Sequence, residues 1–227
     1  MLNVAVEPSL LTPSVPRGTT LDRWQGTTYV SLVGFLFDDT RVPGIPVPLH
    51  RTFQEVNLRF YVRRTLHDKV RRGVTFVREL VPRVAIATTA RLLYNEPYRS
   101  LPMRHAFGPS GAEGMPRAVE YAWRTRKGRT SLRAEARGVR QQPEMDSHEA
   151  FITEHYWGYT RQRDGGTVEY QVTHPRWKVW SAEMAMITGD LEGVYGGELA
   201  AVLHGRPSSA FIADGSAVTV HAPSSMG

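Results

Sequence analysis

The sequence predicts an α+β protein built on a large, curved antiparallel β-sheet with two or three short helices. Three observations predict this fold class. Strand-like runs follow one another at short intervals, turn signals separate them, and segments with helical spacing are few and short. No long polar linker divides the 227 residues, so we expect a single domain over residues 1–227 whose sheet closes into a barrel or cone.

The first part of the chain supplies the clearest strand pattern. Residues 1–26 are rich in Pro, Thr and Gly and are interpreted as an irregular lead-in. Residues 27–37 are apolar on both faces, which predicts a buried strand. Beyond a Pro- and Asp-rich loop, residues 53–64 alternate strictly between apolar and polar side chains and predict a second strand. A further strand follows at residues 73–80, and a short helix at residues 84–94 after Pro82.

The second half of the chain predicts two hairpins and two helices. The hairpins pair residues 118–126 with 129–137 around Lys127-Gly128, and residues 156–162 with 167–173 around Asp164-Gly165-Gly166. Asp146 with Glu149 predicts a capping box for a short helix that runs through Glu154. Asp190 is expected to cap a helix that ends at Gly205, and the tail predicts strand, turn and strand.

Composition limits the partners and chemistry. The net charge is +6, but basic and acidic residues interleave along the chain. The one tight basic group, at residues 63–72, is interpreted as a solvated hairpin loop rather than a nucleic-acid contact, so we expect no nucleic-acid partner. The absence of cysteine excludes disulfides, thiolate nucleophiles and Cys-type metal sites, and it fits a reducing cytoplasm.

No targeting segment, membrane span or catalytic motif is recognisable. The N-terminus lacks a basic stretch followed by an apolar core, and no run approaches roughly 18 apolar residues. There is no P-loop, dinucleotide-binding glycine pattern or Gly-x-Ser-x-Gly, and the eight histidines form no metal-binding pair. We therefore expect a cytoplasmic protein with no membrane partner, no metal and no cofactor, and with its oligomeric state open.

The first candidate site is the polar face of the alternating strand, which carries Glu55, Asn57, Arg59 and Tyr61. Because the preceding strand is apolar on both faces, we expect this strand to be central. A central barrel strand can turn its polar face into an internal cavity. The alternative is a face that meets solvent or forms structural salt bridges.

The second candidate site is the predicted helix at residues 84–94. Arg91 lies among apolar residues, where a guanidinium needs a partner, and Glu79 or Glu96 is suited to that role. Arg91 is interpreted either as one half of a buried ion pair or as an anchor for a ligand carboxylate or phosphate. Tyr94 is a candidate wall of the same pocket.

The third candidate site is an aromatic-rich stretch that carries Glu154, Tyr156 and, further on, His174. Such dense aromatics are typical of a hydrophobic core. A Glu, a His and a Tyr beside aromatic walls are also typical of a small-molecule pocket.

These segments together resemble the YqjF-like family of uncharacterised conserved bacterial proteins, in the domain-of-unknown-function series. The order and spacing of five blocks carry the resemblance: FQEVNLRFYV at 53–62, ARLLYNEPY at 90–98, TEHYWGY at 153–159, HPRW at 174–177 and FIADGS at 211–216. Members of this family commonly begin with an amphipathic segment that does not precede Met1 here. We therefore expect either a trimmed start or a member without that helix.

The family is distantly similar to acetoacetate decarboxylase, which implies a cone-like antiparallel barrel around an internal pocket. That enzyme forms a Schiff base through a lysine of lowered pKa. In the similar stretch of this sequence Arg78 and Arg83 stand where a lysine is needed, and arginine cannot act as the amine nucleophile. Lys69, Lys127 and Lys178 lie outside every apolar motif, so Schiff-base chemistry is not expected.

Three hypotheses of function remain open, and the sequence does not decide whether the protein is an enzyme. The first is a soluble protein that binds a small molecule in the barrel pocket, with Arg59 or Arg91 as the anchor for an anionic group. The second is a lyase or hydrolase that uses acid–base groups such as Glu55, Glu154 or His174 without a Schiff-base lysine. The third is a non-catalytic interaction module. A carboxylate or histidine of perturbed pKa inside the pocket favours the second hypothesis.

Overall fold

A computed structural model of the protein describes residues 1–38, 52–85, 87–88, 95–109 and 117–226. These residues are mostly β-sheet. The strands are β1 Leu2–Val6, β2 Thr20–Leu21, β3 Thr28–Phe37, β4 Phe53–Leu66, β5 Lys69–Val81, β6 Tyr98–Ser100, β7 Met103–Phe107, β8 Ala118–Thr125, β9 Gly128–Gln141, β10 Trp157–Arg161, β11 Thr167–Thr173, β12 Val179–Ala182, β13 Met186–Thr188, β14 Ser209–Ala213, β15 Thr219–Val220 and β16 Ser224–Ser225.

The helices of the described residues are few and short, in agreement with the predicted fold class. They are α1 Pro8–Leu11, a 3₁₀-helix at Thr12–Ser14, α2 His148–Thr153, α3 Glu192–Tyr195 and α4 Gly197–His204. Residues 84–85 and 87–88 are also helical, within the helix predicted over residues 84–94. The helical segments exceed the two or three that we predicted, because α1 was not expected and because Gly196 at φ 85° separates α3 from α4 where one helix was expected. Within the described ranges, no helix has the length and hydropathy that crossing a membrane requires.

The strands form one mixed but mainly antiparallel sheet. Its main path runs β15-β11-β10-β5-β4-β3-β1-β14-β12-β9-β8-β7, with the short strands β2, β6, β13 and β16 pairing beside it. The β10–β5 and β5–β6 pairs are parallel, and the remaining pairs are antiparallel. In the part of the chain that the structure describes, the path has two ends, at β15 and β7.

Strand β4 lies in the middle of this sheet, as its sequence predicts. It pairs with β3 on one side and with β5 on the other, and the β4–β5 register shifts between Leu58 and Arg59. Arg59 faces Phe76 whereas Leu58 faces Arg78, so Val77 is an extra residue in β5. Beyond this bulge, Glu79 faces Asn57.

Both faces of β4 are covered. Its apolar face belongs to the largest core cluster, where Val56, Leu58, Phe60 and Val62 are fully buried and pack with residues of β1, β3, β8 and α4. On the opposite face, Tyr61 packs with Phe151 of α2 and Phe211 of β14 in a second cluster. The polar face of β4 therefore faces the protein interior.

The interpretation of residues 1–26 as an irregular lead-in was wrong at their start. Strand β1 lies between β3 and β14, and it places Leu2, Val4 and Val6 in the core. Between them Asn3 is fully buried, with its Oδ1 accepting a hydrogen bond from Ser31. The strand was missed because Pro, Thr and Gly dominate only the residues that follow it.

The two predicted hairpins are confirmed as β8–β9 and β10–β11. The predicted capping box is wrong, because the N-cap of α2 is Ser147, whose hydroxyl accepts a hydrogen bond from the Ala150 amide.

The basic group at residues 63–72 does flank a hairpin turn, but part of it is paired rather than simply solvated. Arg64 and Arg71 each lie 2.8 Å from Glu169, and Arg72 Nε lies 2.7 Å from Asp22. These arginines therefore tie β4 and β5 to other segments.

Candidate functional site

The polar face of β4 is buried. Glu55 and Asn57 are each 2% exposed, Tyr61 is 1% exposed, and Arg59 is half-buried. The alternative in which this face meets solvent is therefore excluded for Glu55, Asn57 and Tyr61, whereas Arg59 keeps part of its surface exposed. Whether they line a ligand pocket stays a prediction.

Two carboxyl groups meet on this face because of the pairing of β4 with β5. Glu55 accepts hydrogen bonds from Asn57 Nδ2 at 3.0 Å and from the Tyr98 hydroxyl at 3.1 Å. Glu79, directly opposite Asn57 in the register, is 2% exposed. Tyr98 reaches Glu55 because β6 pairs with β5 next to Glu79.

A third carboxyl group completes the arrangement. Glu96 is 8% exposed and accepts a hydrogen bond of 2.5 Å from the Tyr170 hydroxyl of β11. Tyr170 fits there because Gly158 of β10 has no side chain, and a Cβ at Gly158 would collide with the Tyr170 ring. We name Glu55, Glu79 and Glu96, with Tyr98 and Tyr170, the carboxyl cluster.

Burial changes the acidity of the carboxyl cluster. Removal from water raises the pKa of Glu55 to about 7 and that of Glu96 to about 7, against an ordinary value of 4.5. The pKa of Glu79 rises well above its usual range, because of burial and then repulsion from Glu96 and Glu55. The cluster therefore holds protons near neutral pH, and such groups can both donate and accept a proton there.

Two buried oxygen atoms, one in the carboxyl cluster and one on Asn57 beside it, have no hydrogen-bond partner. They are Glu79 Oε2 and Asn57 Oδ1, which belong to facing residues on β5 and β4. Buried polar atoms are nearly always paired in folded proteins. These two acceptors therefore have bonding capacity that the described residues leave unused.

A second polar group lies further along the same face. His155 Nε2 is 3.2 Å from Asp22 Oδ2, which also accepts a hydrogen bond from Arg72. Burial lowers the pKa of His155 to about 4, so its ring is neutral at pH 7. Burial alone would raise the pKa of Asp22, but the hydrogen bonds from His155 and Arg72 lower it to about 2. An ionised Asp22 next to a neutral ring places the ring proton on Nε2.

Arg59 lies between the carboxyl cluster and the Asp22–His155 pair. Its Nη2 donates to the Ile152 carbonyl at 3.3 Å, and its guanidinium carbon is 5.9 Å from the centre of the Tyr61 ring. Its buried Nε has no hydrogen-bond partner. Arg59 is thus a half-buried cation that retains donor capacity.

The third candidate site forms a separate group. The Tyr156 hydroxyl donates to Glu154 at 2.5 Å, and the Tyr156 and His174 rings lie 4.9 Å apart. Among the described residues, no hydrogen bond, ion pair or ring contact joins these three side chains to the polar face of β4. The structure therefore does not bring them together with Glu55 and Asn57.

Two of the predicted site residues, Arg91 and Tyr94, lie outside the described residues, as does the predicted ion pair of Arg91 with Glu79 or Glu96. Lys69, Lys127 and Lys178 are all exposed. Within the described ranges, no group of three or more His, Asp or Glu side chains is arranged to hold a metal ion.

Sequence reasoning missed several members of both polar groups. It named Glu79 and Glu96 only as partners for Arg91, and it gave no role to Asp22. His155 and Tyr170 belonged to the aromatic-rich third candidate stretch, but neither was singled out. The sequence did carry a signal for Glu79, because the successive predicted strands at 53–64 and 73–80 contain Glu55 and Glu79, respectively, next to apolar residues. No comparable pattern marks Asp22, which meets His155 from 133 residues away.

Comparison with known proteins supports the fold and the family. The uncharacterised protein YqjF of Bacillus subtilis (strain 168) is 26% identical over 195 residues, which cover 84% of this chain and 76% of that protein. The enduracididine biosynthesis enzyme MppR in complex with pyruvate superposes with a TM-score of 0.63 at 10% identity, covering 99% of this chain and 86% of that one. An acetoacetate decarboxylase from Legionella pneumophila gives a TM-score of 0.57 at 10% identity, covering 92% and 76%.

At such low identities the two structural likenesses show the fold alone, and they confirm the similarity to acetoacetate decarboxylase that the sequence implied. A family model described as an uncharacterised conserved protein matches residues 1–217. The chain belongs to this family, number 2071 in the domain-of-unknown-function series.

Proposed function

We propose that this protein binds a small molecule against the carboxyl cluster and exchanges protons with it, as a lyase or hydrolase without a Schiff-base lysine. The observation that carries the proposal is the burial of three glutamates whose raised pKa values keep protons on the cluster near pH 7. General acid–base groups work best when their pKa lies near the working pH.

The proposal includes the geometry and setting of the site. The sheet closes into a cone-like barrel of one domain, with the polar face of β4 towards its interior, in a cytoplasmic protein. The structural neighbours support this arrangement through their fold. A pocket at this place would be lined by the carboxyl cluster at one end and by Arg59 and Tyr61 further along β4.

The cluster offers two separable proton carriers. Glu55 accepts hydrogen bonds from Asn57 and Tyr98, whereas Glu96 accepts one from Tyr170. The two glutamates therefore have different hydrogen-bond partners, although their pKa values are similar. One carboxyl can therefore donate a proton to a bound molecule while another, ionised, accepts one. Such a pair suits the removal of a proton next to a carbonyl group.

A second candidate function is binding of an anionic molecule without chemistry. The supporting observation is Arg59, whose buried Nε has no partner and which has no carboxylate within salt-bridge distance among the described residues. The MppR structure was obtained with pyruvate, so pyruvate is a reasonable first anionic probe for this chain.

Exchange of the pyruvate methyl protons for deuterium, followed by NMR, tests both functions. We expect the wild-type protein to accelerate exchange, and Glu55→Gln to slow it by about 10²–10⁴-fold, the usual contribution of a general acid or base. Glu154→Gln is the matched control, since Glu154 lies in the separate group. Binding of pyruvate without exchange favours the second function, and borohydride trapping of pyruvate on a lysine contradicts the first.

A further inference from the structure

The two buried atoms at the carboxyl cluster that have no hydrogen-bond partner are both oxygens. Glu79 Oε2 and Asn57 Oδ1 are both buried and unpartnered, and both atoms are acceptors. Asn57 Nδ2 already donates one of its two N–H groups to Glu55 at 3.0 Å. A molecule that satisfies the two free acceptors must therefore bring N–H or O–H donors.

The carboxyl cluster also lacks a cation within salt-bridge distance among the described residues, although Arg59 is near enough to Glu55 to favour its ionised form. Among the described residues no Arg, Lys or His forms a salt bridge with Glu55, Glu79 or Glu96, although eleven such bridges occur elsewhere in those residues. Three acidic groups thus share one buried space. Carboxyl groups in such a place ionise when a positive partner is present and otherwise remain protonated.

We propose that the ligand of the carboxyl cluster carries a protonated nitrogen, such as an amine, amidine or guanidine, whose N–H groups donate to Glu79 and Asn57. This inference rests on the proposed function, since it assigns a chemical class to the molecule bound there. The sequence suggested an anionic ligand. At the carboxyl cluster, we instead expect the ligand to carry a positive charge.

A cationic group satisfies the geometry and the charge together. Its N–H groups supply donors to both free acceptors, and hydrogen bonds to charged groups are stronger than those between neutral groups. Its charge also favours the ionised form of the glutamates, so binding releases a proton from the cluster to solvent. A hydroxyl supplies only one donor and no charge, and a carboxylate supplies neither a donor nor a positive charge.

Three isosteric probes separate these cases: acetamidinium, acetamide and acetate. The Asn57 side-chain amide signal in a ¹H–¹⁵N NMR titration reports binding at the cluster. We expect acetamidinium to bind about tenfold more tightly than acetamide, with acetate weakest. Infrared spectra should show the C=O band of protonated carboxyl groups in the free protein and its decrease when acetamidinium is added.

Glu79→Gln should abolish the preference for acetamidinium over acetamide, because the amide carries no charge and fills one free acceptor position. Glu183→Gln, at a glutamate whose side chain is 59% exposed, is the matched control and should keep the preference. If the variant does not fold, the order of the three probes on the wild-type protein still decides the question.

Tighter binding of acetate or acetamide than of acetamidinium contradicts this inference and leaves the proposed function intact. Failure of all three probes to shift the Asn57 signal contradicts binding at the cluster itself. Ionised carboxyl groups in the free wild-type protein that become protonated in Arg91→Met would mean that the chain supplies its own cation, and the inference would then be wrong.

Discussion

At the scale of single residues, the buried glutamates link stability to pH. Their folded pKa values lie above the ordinary value of 4.5, so the folded protein binds more protons than the unfolded chain between pH 4.5 and about 7. The free energy of unfolding therefore falls as the pH rises through this window, and the stabilising protonation is complete only below it.

We expect Glu55→Gln to reduce this loss of stability by up to about 3 kcal/mol, since its pKa shift is removed and one unit corresponds to about 1.4 kcal/mol. Urea unfolding at pH 5 and pH 8 measures the effect. Glu183→Gln should leave the pH dependence unchanged. An identical pH dependence in wild type and Glu55→Gln would show that Glu55 is ionised in the folded state.

The Asp22–His155 pair makes the opposite contribution. The folded pKa of Asp22 is about 2, so its stabilisation is present above the ordinary pKa near 3.8 and is lost as the pH falls towards 2. We expect Asp22→Asn to lower the free energy of unfolding by about 2 kcal/mol at pH 7, since it leaves Arg72 and His155 without their acceptor. Arg72 is partly exposed, which limits the loss.

Denaturant unfolding at pH 7 measures that loss, and ¹⁵N NMR of His155 gives an independent reading. In the wild-type protein the proton should reside on Nε2, whereas Asp22→Asn should shift the tautomer balance. A wild-type spectrum with the proton on Nδ1 would contradict the assigned pair.

At the scale of elements, the β10–β11 hairpin positions Tyr170 through one glycine. A side chain at Gly158 would enter the Tyr170 ring, whose hydroxyl holds Glu96. We expect Gly158→Ala to cost about 1–3 kcal/mol of stability, as overpacking does, and to slow any exchange reaction at the cluster. Thermal unfolding and pyruvate exchange measure the two effects.

Gly197→Ala is the control for this change. Gly197 begins α4, and a Cβ there meets no atom within 4 Å. Reduced flexibility of the unfolded chain should make this variant neutral, or more stable by up to about 1 kcal/mol. A Gly158→Ala variant as stable as Gly197→Ala would show that Tyr170 moves aside without cost.

Elements with local signals could be predicted from the sequence, and those without could not. The β8–β9 and β10–β11 hairpins have glycine-containing turns, and β4 has strict alternation, so their positions were predicted. Strand β1 is only five residues long, and its position in the sheet is fixed by pairing with β3 and β14. No local sequence pattern reveals this pairing. The bulge at Val77 was missed for the same reason, since it arises in the pairing of two strands.

At the scale of the whole molecule, β1 joins two halves of the sheet, and Asn3 bonds to both sides. Its Oδ1 accepts from Ser31 of β3 at 2.6 Å, and its Nδ2 donates to Ser209 of β14 at 2.9 Å. We expect Asn3→Ala to destabilise the protein by about 2 kcal/mol, because two buried hydrogen bonds are lost. Ser209→Ala removes one of them and should cost less than about 1 kcal/mol.

Chemical denaturation with fluorescence and circular dichroism followed together measures both variants. Coincident transitions are expected if the sheet unfolds as one unit. A neutral Asn3→Ala would mean that the backbone pairing of β1 alone holds the halves together.

The candidate site was predictable only where it lies on one strand. The inward polar face of β4 follows from alternation and from the apolar strand beside it. The convergence of Glu55, Glu79 and Glu96 depends on β5, on the segment before β6, and on Tyr170 from β11, so it needs the folded sheet. Arg59 was predicted on the correct face, whereas Glu154, Tyr156 and His174 belong to a separate group.

The extra residue Val77 has a consequence for comparing relatives. Because side chains alternate along a strand, a β5 that contains Val77 brings Glu79 to the same face as Asn57 only through that one-residue bulge. Removal of Val77 would leave Glu79 opposite Asn57 in a regular ladder, whereas pairing Val77 without a bulge would place Glu79 opposite Val56 and turn it to the other side of the sheet. Membership of the site is thus encoded by strand pairing as well as residue type, so a glutamate aligned with Glu79 in a relative belongs to the cluster only if the pairing of β4 with β5 also places it opposite Asn57.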